Sequence, residues 1–475
     1  MAKALMWFRQ DLRITDNPAL SAAVEMGELI PVYIHDTSLS QPNEPGSASK
    51  WWLHHALRDL AGKFNHKLIV KSGKPVEVLL ALCEAHDVEF VVWNRMYEKW
   101  ARQRDTQIKT VLKEQGIKVK SYNGSLLWEP MTVSKADGTP YKVYTPYYRK
   151  ACLNQPSPRY PLAVPKYTIP SDIEQNAINS IDSLALLPSI NWYDGFESHW
   201  SVTEEAAKTA LQTFIEGAIL NYEDDRNIPS LKACSRLSPY LHFGQISPNQ
   251  IWYAVLDKFN GDMSDKGVDT YLSEIAWREF SYYLLYHFPE IQQVNFNAKF
   301  DNFAWQYDDA VFSAWTTGQT GVPIVDAGMR ELWKTGYMHN RVRMIVASYL
   351  VKNLLIDWRK GERWFWDCLL DADTASNAAS WQWVAGSGAD AAPYFRIFNP
   401  VLQGEKFDKQ GEYVKTYCPE LVKLPQKYIH KPWEAPATVL SEAQITLGED
   451  YPFPLVDLKQ SRQRALDAFA AIKEA

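Results

Sequence analysis

The sequence predicts an α/β domain followed by a mostly helical domain, and three observations support this prediction. Short β-rich runs alternate with helical patterns over the first 130 residues, which is typical of a parallel sheet covered by helices. Prolines and turn residues then accumulate up to about residue 200, and beyond that point the apolar periodicity is helical. We therefore expect an α/β domain at 1–130, a linker at 131–200 and a helical domain at 201–475.

Five runs in the first part have the length and composition of strands in a parallel sheet: ALMWFR, LIPVYIHD, KLIVKSG, FVVWNR and VKSYNGSLLWEP. Helical patterns lie between them, such as SASKWWLHHALRDLAGKF and KPVEVLLALCEAHD. No GxGxxG or GxxxxGK(S/T) pattern follows the first strand. The domain is therefore not an ordinary dinucleotide or P-loop site.

The composition argues against several classes of protein. A net charge of −6 does not fit a uniformly basic nucleic-acid binder. The stretch 334–364, however, carries seven basic residues against two acidic ones, which indicates either a local basic groove or a solvated helix face. The five cysteines are scattered without a CxxC pair, so we expect neither disulfides nor a metal site, and a cytoplasmic location. No run of about 18 apolar residues occurs, so no membrane span is expected.

Two polar groups stand out in the helical half. Ser235, Arg236 and Ser238 lie at a predicted helix start, where free N–H groups favour a phosphate; a capped helix with a surface arginine is the alternative. Arg343 is placed to pair with Asp371 and Asp373, and a buried pair of this kind needs further partners, which a polar cofactor would supply. A purely structural ion pair is the alternative there.

Small residues lie between and after these two acids, and they allow a bulky group to approach the backbone. They are Ala372, Ala375, Ala378, Ala379 and Ser380. The chain also contains 19 tryptophans, more than packing requires. Trp305, Trp358 and Trp381 each lie on or beside a predicted helix; they either fill the core or form a chain of indoles that leads away from a cofactor.

One face of a predicted helix bears Glu274, Trp277, Arg278 and Ser281, at positions i, i+3, i+4 and i+7. A carboxylate accepts hydrogen bonds from a base edge, an indole stacks on a base, and an arginine binds a phosphate. This face therefore indicates contact with a nucleic acid. A polar seam between two domains would explain the same residues equally well.

Four segments resemble the photolyase/cryptochrome family: WFRQDLRITDNPAL, TGYMHNRVRM, DWRKGERWF and above all WQWVAGSGADAAPYFRIFNPVLQGEKFD. The resemblance extends from about residue 5 to about residue 433. It implies a Rossmann-like α/β antenna domain, a long linker and an all-α FAD-binding domain that holds a U-shaped FAD. It also explains why small residues gather near Asp371, because they would let the isoalloxazine ring approach the backbone.

By this resemblance the cofactor-binding residues are Tyr222, Cys234, Ser235, Arg236, Leu237, Ser238, Arg343, Asp371, Ala372, Asp373 and Asn377. Asn377 occupies the position that faces the flavin N5 atom in the family. Many relatives carry threonine at the position of Cys234, and a thiol is a weaker hydrogen-bond donor than a hydroxyl. The resemblance also implies that Trp381, Trp358 and Trp305, in that order outward, carry electrons to the flavin.

The substrate implied by the resemblance is UV-damaged DNA, bound through Glu274, Trp277, Arg278, Ser281, Asn340, Arg341, Met344, Trp383, Arg396 and Gln403. The residues Glu274, Trp277, Asn340, Met344 and Trp383 match enzymes that repair cyclobutane pyrimidine dimers, with Glu274 stabilising the dimer radical anion. A (6-4) photolyase would have histidines where Asn340 and Met344 lie. The residues also leave open a blue-light receptor of the cryptochrome type without repair activity, and a light-independent flavoenzyme.

Within the family, SASKWWLHHALRDL and VVWNRMYEKWARQRD resemble the class III branch, which is related to plant cryptochromes. Class I folate binders often have Asn-Glu where this chain has Trp100 and Ala101, so their antenna site does not transfer. We expect a methenyltetrahydrofolate antenna, with a deazaflavin as the alternative. We also expect a monomer without an obligate protein partner.

Overall fold

The structure is a computed structural model that describes residues 2–40, 42–391 and 395–474. The strands are β1 Lys3–Phe8, β2 Glu28–Asp36, β3 Ile69–Gly73, β4 Phe90–Asn94 and β5 Lys118–Tyr122. The helices of the first 200 residues are α1 Pro18–Met26, α2 Ser47–Lys63, α3 Pro75–His86, α4 Lys99–Glu114 and α5 Ala177–Ser183. Those that follow are α6 Glu204–Gly217, α7 Tyr222–Asp225, α8 Ser238–His242, α9 Pro248–Lys258, α10 Lys266–His287, α11 Asp309–Thr316, α12 Pro323–Thr335, α13 Asn340–Ser348, α14 Trp358–Cys368, α15 Thr374–Ala385, α16 Pro400–Phe407, α17 Glu412–Tyr417, α18 Ala437–Ala443 and α19 Leu458–Glu474.

The predicted parallel sheet is confirmed, with the strand order β3-β2-β1-β4-β5. Lys3 of β1 aligns with Glu28 of β2, and Ala4 aligns with Phe90 of β4, all in parallel register. The strand β1 is buried along nearly its whole length because helices cover both faces of the sheet. The strand order reverses between β1 and β4, where open α/β sheets have their ligand crevice.

The segment predicted as a linker contains only short helices, among them α5 and a π-helix at Pro146–Ala151. It contacts both halves of the molecule. The hydroxyl of Tyr167 donates to the carbonyl of Lys63 in α2, and Arg149 pairs with Asp269 in α10. The boundaries at 130 and 200 remain predictions.

Thr203 caps α6, the first helix of the helical half, by accepting a hydrogen bond from the N–H of Ala206 at 3.0 Å. The periodic stretch 340–370 is not one helix. It divides into α13, a π-helix at Tyr349–Asn353 and α14. None of the helices in the described parts of the chain combines the length and apolarity needed to cross a membrane.

Two of the three apolar clusters described in the helical half meet at α15. Ala375 and Ala378 belong to the cluster that includes α10, whereas Trp381 and Ala385 belong to the cluster of α12, α13 and α14. The small residues of α15 therefore lie at the seam between two cores. This is the place where the sequence predicts that a bulky group approaches the backbone.

Candidate functional site

Asp371 forms the polar centre of this seam. Arg343 donates to both of its carboxylate oxygens, at 3.0 and 2.8 Å, and the hydroxyl of Ser238 donates to Oδ2 at 2.6 Å. Although burial raises it, the pKa of Asp371 is lowered overall by Arg343 and Ser238. The predicted pairing of Arg343 thus involves Asp371 alone. Asp373 instead caps α15, accepting from the N–H of Ser376 at 2.8 Å.

The loop before α8 has the features of a phosphate site. Arg236 has a φ of 54°, and its guanidinium lies over the rings of Trp200 and Tyr337, at 4.3 and 4.9 Å. The hydroxyl of Tyr271 is buried beside Ser235 without a hydrogen-bond partner of suitable geometry among the described residues. A phosphate oxygen would satisfy this donor. Sequence reasoning missed Tyr271, although it lies one helical turn before Glu274.

Cys234 lies beside the same loop, and its sulfur has two polar neighbours, the carbonyl of Arg226 at 4.0 Å and the ring of His339. The sulfur is 3.7 Å from Nε2 of His339, and Nδ1 of that ring accepts from the N–H of Arg341 at 3.3 Å. Burial lowers the pKa of His339 to about 4 and raises that of Cys234 to about 11. The imidazole is therefore neutral and the thiol protonated. Because Nδ1 accepts, Nε2 carries the proton and points to the sulfur.

The amide of Asn377 is oriented by Glu362. Its Nδ2 donates to Oε1 of Glu362 at 3.0 Å and to the Glu362 carbonyl at 3.1 Å. With both N–H groups engaged, Oδ1 is the amide atom left to face a flavin at the predicted position. Burial raises the pKa of Glu362 to about 7. The sequence leaves both amide orientations open, and no motif in it identifies Glu362.

The predicted nucleic-acid face of α10 divides in two. Glu274 pairs with Arg226 at 2.6 Å, and the ring of Trp277 lies parallel to that of Tyr144; all four side chains are buried or half-buried. Arg226 also lies 5.3 Å from the ring centre of Tyr222, so it joins this face to the predicted cofactor residues. Arg226 and Tyr144 were not identified from the sequence.

Arg278 turns away from Glu274 and Trp277. Its guanidinium donates to the carbonyl of Ser125 at 2.9 Å and pairs with Glu279 at 3.3 Å, at the boundary with the α/β domain. For Arg278 the geometry thus favours the interdomain seam, which the sequence left open as the alternative to a phosphate contact. Ser281 donates to the carbonyl of Trp277 within the same helix.

The remaining predicted DNA-binding residues lie at the surface of α13, α15, α16 and the segment before α16. Arg341 donates to Oδ1 of Asn227, at 2.5 Å from Nη2, and its guanidinium lies 4.5 Å from the ring centre of Phe407. Asn340 and Arg396 are exposed. Three further members of the predicted set are half-buried, namely Met344, Trp383 and Gln403.

The three tryptophans of the predicted electron chain differ in exposure. Trp381 is buried against Gly361 of α14, and its ring meets that of Phe365 edge-on at 4.9 Å. Trp358 is fully buried and donates from Nε1 to Asn295 at 3.0 Å, whereas Trp305 is only half-buried. The two inner members of the predicted chain are thus buried and the outermost one is partly exposed, and the electron order stays a prediction.

Two possible antenna sites differ in size. The crevice between the carboxyl ends of β1 and β4 is filled by side chains such as Arg9 and leaves a cavity of about 20 Å³, room for one water. An open groove of about 260 Å³ lies between α2 and the linker, with walls that include Trp51, His55 and Trp200. Asp59 and Glu197 line the same groove.

Together these groups fit an FAD. A charged pair, an orphaned buried hydroxyl, a fixed amide and small helical residues are the contacts that a dinucleotide with a flat ring requires. Across the part of the chain that the structure describes, no three His, Cys, Asp or Glu side chains gather as metal ligands would.

Comparison with known proteins identifies the family. Residues 271–471 match the FAD binding domain of DNA photolyase, and residues 4–166 match the DNA photolyase domain. The chain is 48% identical to a deoxyribodipyrimidine photo-lyase of Agrobacterium fabrum, covering 100% of this chain and 98% of the relative. It is 37% identical to Cryptochrome-1 of Arabidopsis thaliana, covering 98% of this chain and 70% of that protein.

The solved structures agree with these matches. The crystal structure of a bacterial class III photolyase from Agrobacterium tumefaciens is 48% identical, covers 100% of this chain and 98% of its own, and superposes with a TM-score of 0.95. The predicted fold class and the FAD-binding domain are thereby confirmed. The chain belongs to the photolyase/cryptochrome family.

Proposed function

We propose that this protein repairs cyclobutane pyrimidine dimers in DNA in a light-dependent reaction. The observation that carries the proposal is the half-buried face of α10 that bears Glu274 and Trp277. Glu274 pairs with Arg226, and Arg226 in turn contacts the ring of Tyr222, a predicted cofactor-binding residue. A relative with 48% identity bears the name deoxyribodipyrimidine photo-lyase. When bound, reduced FAD supplies the light-excited electron that opens the cyclobutane ring.

The side chains of the site bind and orient the lesion. A dimer leaves the duplex more easily than a normal base pair does, and Trp277 and Trp383 stack against it. Glu274 accepts a hydrogen bond from the imide N–H of an unpaired pyrimidine. Because Arg226 pairs with Glu274, it orients that carboxylate and lies close enough to offset charge that develops on the dimer.

The state of His339 favours the cyclobutane lesion over the (6-4) product. Reversal of a (6-4) product moves a hydroxyl between bases, which requires a proton donor, whereas opening a cyclobutane radical anion requires none. His339 is 5% exposed, neutral, and committed at both ring nitrogens to the backbone of α13 and to Cys234. Met344 has a thioether, which cannot donate a proton.

Two oligonucleotides test the proposal, one with a single cyclobutane dimer and one with a single (6-4) product. Under blue light the chemically reduced enzyme is expected to restore the first and leave the second unchanged. Repair of the (6-4) product would show that another proton donor reaches the site. Binding of FAD with no repair of either lesion would contradict the proposal and favour a light receptor.

For the antenna we propose a reduced folate, methenyltetrahydrofolate, in the open groove. The crevice of the sheet is too small for a deazaflavin, whereas the groove offers aromatic walls and two carboxylates, which match the adjacent N–H donors of a pterin edge. One wall, Trp200, also contacts Arg236 of the cofactor loop, so the two chromophores would lie close together. Added methenyltetrahydrofolate should increase the excitation of the flavin by near-ultraviolet light. The double variant Asp59→Asn/Glu197→Gln should abolish this increase. Sensitisation by deazaflavin instead would contradict the assignment.

A further inference from the structure

Tyr144 of the linker lies flat against Trp277. The two ring centroids are 3.7 Å apart and the planes differ by 9°, a closer and more parallel arrangement than the other aromatic pairs described around α10. Trp277 is one of the residues through which the proposed function binds the lesion. No local sequence pattern distinguishes Tyr144 from its many aromatic neighbours.

The ring of Tyr144 is held from several sides. Its hydroxyl donates to the carbonyl of Ser273 at 2.7 Å, one helical turn before Trp277. Its N–H donates to Oδ2 of Asp390 at 3.4 Å, and Tyr148 stacks behind it at 5.8 Å. Only 8% of Tyr144 is exposed. It is therefore a fixed wall and not a loose surface ring.

The backbone that carries Tyr144 is tied to the same helix. A π-helix at Pro146–Ala151 follows at once, a rare form that occurs frequently at functional sites. Its Arg149 forms two hydrogen bonds to Asp269, at 2.7 and 2.6 Å, and one to Ser273 at 3.1 Å. The linker is thus hydrogen-bonded to α10 over the two turns before Trp277.

We propose that Tyr144 is a positioning residue for lesion binding, an inference that rests on the proposed function. An indole has two faces, and Tyr144 covers one of them, so a single face remains for a flipped pyrimidine. The stack also fixes the plane of Trp277 before DNA arrives, which lowers the entropic cost of stacking on the lesion. The linker would in this way contribute to the recognition of damage.

The opposite role predicts the opposite result. If Tyr144 occupied the face that the lesion needs, it would act as a gate, and removing its ring would tighten the binding of damaged DNA. If it backs the indole, removing the ring weakens that binding. The sign of the change therefore separates the two roles.

The test compares Tyr144→Leu, which keeps apolar volume without a ring, with Tyr144→Phe, which keeps the ring without the hydroxyl. Affinity is measured for oligonucleotides with and without one cyclobutane dimer. Tyr144→Leu should weaken dimer binding about two- to tenfold, the range of a stacked aromatic pair, and leave undamaged DNA unaffected. Tyr144→Phe should stay within about twofold of the wild type. Tyr160→Leu is the control, since Tyr160 lies in the same linker and is 58% exposed.

Each outcome decides the matter. Equal weakening of both DNAs, no change, or tighter dimer binding in Tyr144→Leu would overturn the inference. FAD content and melting temperature are measured in parallel. If Tyr144→Leu does not fold, Tyr144→Phe decides, because it keeps the ring against Trp277: loss of dimer selectivity in this variant would overturn the inference. A wild-type protein that does not discriminate damaged DNA would refute the proposed function itself, so the two failures are distinguishable.

Discussion

The buried carboxyl of Glu362 lies beside Asn377, the residue predicted to face the flavin. Its pKa is raised to about 7 by burial, and it holds Nδ2 of Asn377. Ionisation near pH 7 therefore adds a negative charge beside Asn377, and with the flavin at its predicted position this charge disfavours reduction. We expect the midpoint potential of bound FAD to fall more steeply with pH around 7 in the wild type than in Glu362→Gln, as measured by spectroelectrochemistry.

The control is Asp367→Asn, on the same helix α14. Asp367 accepts from Ser47 at the surface of the α/β domain and does not contact Asn377. This variant should keep the wild-type pH dependence. A Glu362→Gln protein with an unchanged slope would show that Glu362 does not sense the flavin. The glutamine retains an acceptor oxygen, so the orientation of Asn377 is preserved.

The helix α10 joins the two halves of the protein through Glu279. This carboxylate accepts from the N–H groups of Leu127 and Trp128, at 2.8 and 3.2 Å, and burial raises its pKa to about 7. A carboxyl whose pKa is raised on folding favours the folded state at low pH and loses that contribution as pH rises from the unfolded value towards 7. We therefore expect the melting temperature of Glu279→Gln to fall less than that of the wild type between pH 5 and pH 8.

Calorimetry at both pH values measures this difference, with Glu290→Gln as the control because Glu290 forms only an exposed pair with Lys99. If the wild type and Glu279→Gln lose the same number of degrees between the two pH values, ionisation of Glu279 does not contribute. The comparison between variants removes the contribution of other titrating groups, since they are common to both proteins.

For single helices, the sequence predicts where the helix lies better than it predicts the direction of its side chains. The 3.6-residue period placed Glu274 and Trp277 on one face of α10, and that spacing is local information. Arg278 shares the spacing but points to Ser125, which lies in another domain, and no local pattern encodes that contact. The same limit hides Tyr144, because a proline-rich linker has no apolar period.

The charge of the whole molecule frames its binding to DNA. The net charge is −6, and yet Arg226 and Arg396 both lie near Arg341. The pKa of Arg341 is lowered mainly by burial and further by the positive charges of these two arginines. A local basic patch on an acidic protein binds phosphates strongly at low salt and releases them at high salt. The sequence left open whether the basic residues of 334–364 form a groove or a solvated helix face, and Arg226 and Arg396 join Arg341 only through the fold.

Arg341 tests whether this patch contacts the DNA backbone. Its half-buried guanidinium is oriented by Asn227 and by the ring of Phe407. Phosphate contacts carry no sequence information. Arg341→Ala should therefore weaken the binding of damaged and undamaged DNA by similar factors, and reduce the slope of log affinity against log salt concentration by about 1. Arg58→Ala, on α2 of the α/β domain, should change neither affinity nor slope. Salt titrations of DNA binding measure both, and a loss of bound FAD in Arg341→Ala would reassign this residue to the cofactor site.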